Sequence, residues 1–161
     1  MEKLKDKIKQ LAEKNHWDIV QIRRHIHQHP ELSNQEFETS QYVSAILTKF
    51  GIEHQTGIFK TGIVGQIKGK NPDKKVTALR ADLDALPIHE KNDVEYKSKN
   101  EGVMHACGHD VHTSSLLGAA RILNEIREHF EGTIKLIFQP AEEKIPGGAK
   151  FMIEEGVLEN P

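Results

Sequence analysis

The chain has one cysteine, one tryptophan and two tyrosines among 161 residues, and a single cysteine excludes any internal disulfide. A reducing cytoplasm is the compartment that suits it best. No stretch approaches the roughly 18 consecutive apolar residues that span a bilayer, so no membrane role is expected. Neither sign of charge prevails: 22 Lys and Arg face 24 Asp and Glu, for a net charge of −2. That balance leaves no basic field to attract nucleic acid. The opening MEKLKDKIKQLAEKN is a charged helical pattern without the apolar core of a secretory signal. Low-complexity linkers and internal repeats are missing too. What remains, 37% hydrophobic and 29% charged, is the composition of one globular domain large enough for a real core.

Apolar periodicity then sets out an alternation of helices and strands. Leu4, Ile8, Leu11, Trp17, Ile19, Ile22 and Ile26 recur at nearly helical spacing, which predicts one long or two consecutive helices to about His29, closed by Pro30. Ser33, with Glu36 three residues on, reads as the N-cap of a second helix through Phe37, Val43, Leu47 and Phe50, ended by Gly51. Strands are expected at about Glu53–Ile58 and Gly62–Lys68, then a turn at Lys70–Lys75, then a buried strand opening VTALRADLDALPI. A helix from about Val111 to Phe130 follows, with Leu116, Leu117, Ala120, Ile122, Leu123 and Ile126 as its inner face. Next come a strand from Gly132 to Gln139 and a last helix behind Gly147–Gly148. The expected fold is α/β, with helices packed on a mostly parallel or mixed sheet.

The chemistry is concentrated in two segments. MHACGHDVHT (Met104–Thr113) crowds His105, Cys107, His109, Asp110 and His112 into eight positions, a density of soft and borderline ligands that suggests a metal. QPAEE (Gln139–Glu143) delivers two adjacent carboxylates from an apolar run. In open α/β sheets, ligands bind beyond the carboxyl ends of the strands, and both segments, like Asp82-Leu83-Asp84, sit just past an expected strand or before an expected helix. Cys107 and His109, two apart, share one side of an extended segment. Glu142 and Glu143, being adjacent, point oppositely if extended. One then serves as metal ligand and the other as general base toward a water that the metal activates.

Four ordered motifs, RRHIHQHPELSNQE (Arg23–Glu36), LRADLDALPI (Leu79–Ile88), MHACGHDVHT and QPAEEKIPGGA (Gln139–Ala149), resemble those of the amidohydrolase branch of the aminoacylase and carboxypeptidase metallohydrolases. The resemblance implies hydrolysis of N-acyl amino acids at a pair of divalent metal ions, manganese or zinc. It implies Cys107, His109 and Glu143 as metal ligands, Glu142 as the catalytic base and Asp84 as the residue that holds and polarises a ligand. Asp82 stands where related branches carry a metal-binding histidine, and its role stays open. Members of the branch are more than twice this length and supply two further metal-binding histidines and a lid domain through which they form homodimers. On that resemblance the chain is expected to be an amino-terminal part of a catalytic domain, inactive alone.

Other readings stand beside this one. His105 and His112 are either hydrogen-bonding partners near the site or packed helix residues, and neither is assigned as a ligand. His25, His27 and His29 fall at every second position, so no helix face presents all three and surface placement is expected. Asp82 and Asp84 serve equally well, on spacing alone, to cap the turn at Leu86-Pro87. A cysteine-nucleophile hydrolase built on Cys107 predicts inhibition by alkylation without metal dependence, yet gives the QPAEE carboxylates no task. A non-catalytic metal-binding module predicts metal uptake without turnover.

Overall fold

A computed structural model describes residues 2–161. Helix α1 (Glu2–Gln28) is continuous over 27 residues, about 40 Å at 1.5 Å per residue. Only its second half reaches the core: Ile22 and Ile26 are buried, whereas Ile8 and Trp17 are exposed. There it crosses α3 (His109–Glu125), and Gly118 permits the close approach, since a Cβ at that position would come within 3.1 Å of the Ile19 side chain. Helix α2 (Phe37–Lys49) buries Val43, Ile46 and Leu47 and ends before Gly51, whose φ of 68° an L side chain rarely adopts.

The strands are β1 (Glu53–Ile58), β2 (Gly62–Lys68), β3 (Val76–Asp82) and β4 (Thr133–Gln139), and helix α4 (Gly148–Glu154) closes the order. Short 3-10 turns at Pro72–Lys74 and Arg127–His129 precede β3 and follow α3. In space the strands run β1-β2-β4-β3. The β1–β2 and β2–β4 pairs are antiparallel and β3–β4 is parallel, so the sheet is mixed. On one face Ile63, Ile67, Leu136 and Phe138 meet Leu116, Leu117 and Ala120 of α3, with Val43 and Leu47 of α2 completing the same cluster. On the other, Ile137 packs with Met152 and Val157.

Three expectations are corrected. Helix α3 starts at His109 rather than Val111 and stops at Glu125, because the left-handed Gly108 (φ 94°) leads the chain straight into it. Strand β3 is not buried: it is the sheet edge, with Val76 41% exposed and only Ala81 and Asp82 inside. Ser33 does not cap α2; Glu36 occupies that position, and the Ser33 hydroxyl reaches 51 residues along the chain to Asp84. The parallel pair brings Asp82 opposite Gln139, so β3 and β4 end side by side and the loops that follow them meet. Among the described residues no helix is long and apolar enough to cross a membrane.

Candidate metal centre

The segment beyond β3 extends the parallel pairing by one bond, from Leu83 N–H to Gln139 O at 2.9 Å. Leu83 turns into the core, and Asp84, 1% exposed, follows it inward. The Asp84 carboxylate accepts the Ser33 hydroxyl at 2.6 Å and the Glu143 N–H at 3.0 Å, and its other oxygen lies 3.3 Å from His109 Nδ1. The Asp84 carbonyl sits 2.8 Å from the same nitrogen. A carbonyl only accepts, so Nδ1 carries the hydrogen and Nε2 is the atom left to a ligand. Burial works against the charge on both groups, yet their contact wins: Asp84 falls to about 2, and His109, with Asp82 also near, rises to about 9. Without a cation this imidazole is protonated at neutral pH.

Gly108 turns the chain between Cys107 and His109, leaving the thiol exposed and the imidazole buried. The two residues therefore come together through a tight turn at a helix start, not by alternation along an extended segment. Beyond β4, Ala141 takes a φ of 50° and bends the chain so that the carboxylates do not oppose one another. Glu142 Oε2 and Glu143 Oε1 each lie 3.8 Å from His109 Nε2. The ligand atoms of Cys107, His109 and Glu143 all fall within 4.8 Å of one another, a thiol, an imidazole and a carboxylate converging as a borderline divalent cation requires. The carboxylate of Glu143 beside it, then burial, push the Cys107 thiol pKa up. A cation in the cluster reverses that effect by binding the thiolate. The same crowding argues against Cys107 as a free nucleophile, whose pKa would have to be lowered.

A second triad, Asp82, His109 and His112, satisfies the same distance limit. Its anion is already matched, however: the Arg80 guanidinium pairs with Asp82 and donates through Nε to Gln139 at 2.7 Å. His112 Nδ1 lies 3.3 Å from Asp82 Oδ2, which also accepts from Arg80 Nη1 at 3.4 Å. Asp82 thus ties Arg80 to the first turn of α3. His105 is 4% exposed, and burial drives its pKa down to about 4, so it is a neutral packed ring.

His27 is not on the surface. It is 3% exposed and lies between two carboxylates, Asp110 Oδ2 at 2.7 Å from Nδ1 and Glu90 Oε1 at 3.1 Å from Nε2, with Arg23 Nε 2.8 Å from Asp110. Its hydrogen bond to Asp110 raises its pKa against the pull of burial. His27, Arg23 and the two carboxylates close a network that anchors Asp110, the neighbour of His109. Spacing on α1 cannot reveal this, because the partners lie 63 and 83 residues away.

Comparison with known proteins places these features in a family. The description "Peptidase family M20/M25/M40" matches residues 78–161. Thermostable carboxypeptidase 2 of Saccharolobus solfataricus is 53% identical over 160 residues, 98% of this chain and 39% of that protein. An N-acyl-L-amino acid amidohydrolase of Geobacillus stearothermophilus is 47% identical over 155 residues, 96% of this chain and 42% of that protein. Among solved structures, a dinuclear metal-binding peptidase of Bacillus subtilis superposes with a TM-score of 0.86 at 46% identity, over 91% of this chain and 41% of that one. The chain spans about two fifths of the length of the relatives it matches.

Proposed function

This chain belongs to peptidase family M20/M25/M40, and from that premise we propose that it is the metal-holding portion of a hydrolase catalytic domain that cuts the amide bond of N-acyl amino acids. Cys107, His109 and Glu143 hold the cation, manganese or zinc, and Glu142 is the base. The observation that carries the reading is the convergence of those three ligand atoms within 4.8 Å around an imidazole whose Nδ1–H is already committed to Asp84.

When bound, a divalent ion supplies Lewis acidity at the scissile carbonyl. The protein supplies the proton traffic and the alignment. Glu142, 42% exposed at its side chain, stands at the open edge of the cluster. There it takes a proton from the attacking water and returns it to the leaving amine, while the carbonyl carbon passes to the new carboxylic acid. Asp84 holds the His109 ring in place and, through the Glu143 N–H, the backbone that carries the carboxylate pair.

The relatives named amidohydrolase and carboxypeptidase support a small amide or peptide substrate. Because the chain spans only 39–42% of those relatives, we assign metal uptake to these 161 residues and turnover to a protein that supplies the remaining ligands and lid. Metal analysis of the purified chain, repeated on Cys107→Ala and Glu143→Ala, tests the site. One cation or more per chain is expected, with less in each variant; if neither change lowers metal content, the assignment is wrong. Hydrolysis of N-acetyl amino acids with added manganese or zinc is expected to be negligible, and turnover close to that of a full-length homologue would overturn the division of labour.

A further inference from the structure

Glu36 is the buried acidic group that the chemistry above does not use. It is 0% exposed, and among the described residues no cation pairs with it. It occupies the N-cap position of α2 without capping that helix, and its carboxylate bonds elsewhere. Oε1 accepts the Asn34 N–H at 3.0 Å and the Ala141 N–H at 2.8 Å, and Oε2 accepts the Thr61 hydroxyl at 2.8 Å. These partners belong to the loop before α2, the β1–β2 hairpin end and the bend after β4. Two of them, Asn34 (φ 68°) and Ala141 (φ 50°), hold left-handed backbone. For Ala141, which has no polar side chain to bond locally, that conformation costs about 1 kcal/mol or more. A fully buried carboxyl group bonded to three donors is the device that offsets such a cost: burial pushes its pKa up, the three hydrogen bonds oppose that shift, and losing the acceptor would leave buried donors unsatisfied.

The bend is closed from its other side by Gly148, whose N–H donates to Ala141 O at 2.9 Å. A Cβ at Gly148 would fall 1.9 Å from Pro140 O. Ala141 is therefore gripped at its N–H by Glu36 and at its carbonyl by Gly148, and the residues that follow directly are Glu142 and Glu143. We propose that Glu36 is a positioning residue for the carboxylate pair: by holding the Ala141 N–H it sets the turn that directs Glu142 and Glu143 at His109. The proposal rests on the reading of Glu143 as ligand and Glu142 as base, and its effect reaches the chemistry only through them.

The test uses the 161-residue chain with cobalt(II) as the metal probe, its d–d and thiolate-to-cobalt bands reporting the coordination sphere, and amide hydrogen exchange at Ala141 and Glu143 reporting the bend. Glu36→Ala is expected to weaken cobalt binding about tenfold or more, the range seen when groups that orient metal ligands are removed. It should also alter the d–d bands and speed exchange at both amides about tenfold. Glu36→Gln keeps one oxygen for the two backbone donors and offers its amide to a reversed Thr61 hydroxyl, so it should restore affinity to within about threefold. Thr61→Val removes one partner but leaves the Ala141 bond, and is expected to bind cobalt within about twofold of wild type.

Unchanged affinity and exchange in a folded Glu36→Ala protein overturns the proposal, as does an equal loss of affinity in Thr61→Val. Should Glu36→Ala fail to fold, Glu36→Asp, one methylene too short to reach all three donors, takes its place with a smaller loss of the same sign; unchanged exchange at Ala141 then refutes the role. Absence of cobalt binding in wild type defeats the metal reading instead, and amide exchange alone then decides whether Glu36 holds the bend.

Discussion

Replacing Asp84 by Asn probes the contact on which the candidate site turns. The carboxylate serves three donors, Ser33 Oγ, Glu143 N and His109 Nδ1, and an amide serves one side of that set only. With its NH2 toward His109, an N–H faces the Nδ1–H that the backbone carbonyl of residue 84 still holds, and the repulsion turns the ring out of line with the ligand cluster. With its NH2 toward Ser33, the Glu143 N–H loses its acceptor. The fall of the Asp84 pKa from 3.8 to about 2 corresponds to about 2 kcal/mol at roughly 1.36 kcal/mol per pH unit. The rise of His109 from 6.5 to about 9 is the same contact seen from its partner and is not added to it.

Urea denaturation of Asp84→Asn at a pH between 3.8 and 6.5 should therefore show a loss of about 2 kcal/mol. The Asp84 pKa is lower in the folded chain than in the unfolded one. Its contribution is thus complete above 3.8 and vanishes as the pH falls through about 2. His109 is the reverse case: its contribution is complete below 6.5 and vanishes as the pH rises through about 9. The difference between wild type and variant should shrink at both ends. Proton NMR titration should show His109 of the variant returning toward 6.5, and metal affinity should drop about 10–100-fold. A variant whose His109 still titrates near 9, or whose stability matches wild type across this window, refutes the argument that Asp84 orients the imidazole.

Three further outcomes follow from separate features. His27→Gln leaves Asp110 and Glu90 without the ring that bonds both and should cost about 1–3 kcal/mol. Because the folded pKa of His27 is raised, that loss should be largest below 6.5 and diminish as the pH climbs through the folded value, which denaturation at stepped pH will show. Gly148→Ala places a methyl against Pro140 O; thermal unfolding should reveal a loss of about 1–3 kcal/mol, and an unchanged melting temperature would mean that the bend is slack. Cys107, exposed but with its thiol pKa raised by Glu143, should react with iodoacetamide more slowly at neutral pH than a free thiol and be protected by zinc. Alkylation faster than that of free cysteine would favour the nucleophile reading over the ligand one.

Much of the fold was legible because it depends on local periodicity. The bounds of β1 and β2, the long first helix and its halt before Pro30 follow from apolar spacing and turn residues a few positions apart. The two ligand-rich segments were legible as dense motifs, but the choice of Cys107, His109 and Glu143 within them came from the family resemblance, and the structure gathers those three ligand atoms within 4.8 Å. The failures share one physical origin. Ser33 and Glu36 fit the spacing of a capping box, but their side chains found partners at Asp84, Thr61 and Ala141. A serine hydroxyl or a glutamate bonds whichever donor or acceptor the tertiary fold presents. His27 failed likewise, its ring bonded by residues far along the chain, and β3 reads as buried from its apolar letters although its place at the sheet edge exposes it.

By itself, then, the sequence determined which residue types were available for the chemistry, and it placed them just past a strand or before a helix, because helix and strand periods are properties of neighbouring residues. Only the tertiary structure decided that Glu142 and Glu143 face the same imidazole instead of opposing each other, and that His109 presents Nε2. Those outcomes depend on a left-handed Ala141 held by Glu36 and a carbonyl at Asp84 that fixes a tautomer. Each is a contact between segments far apart in the chain that only the packed fold brings together.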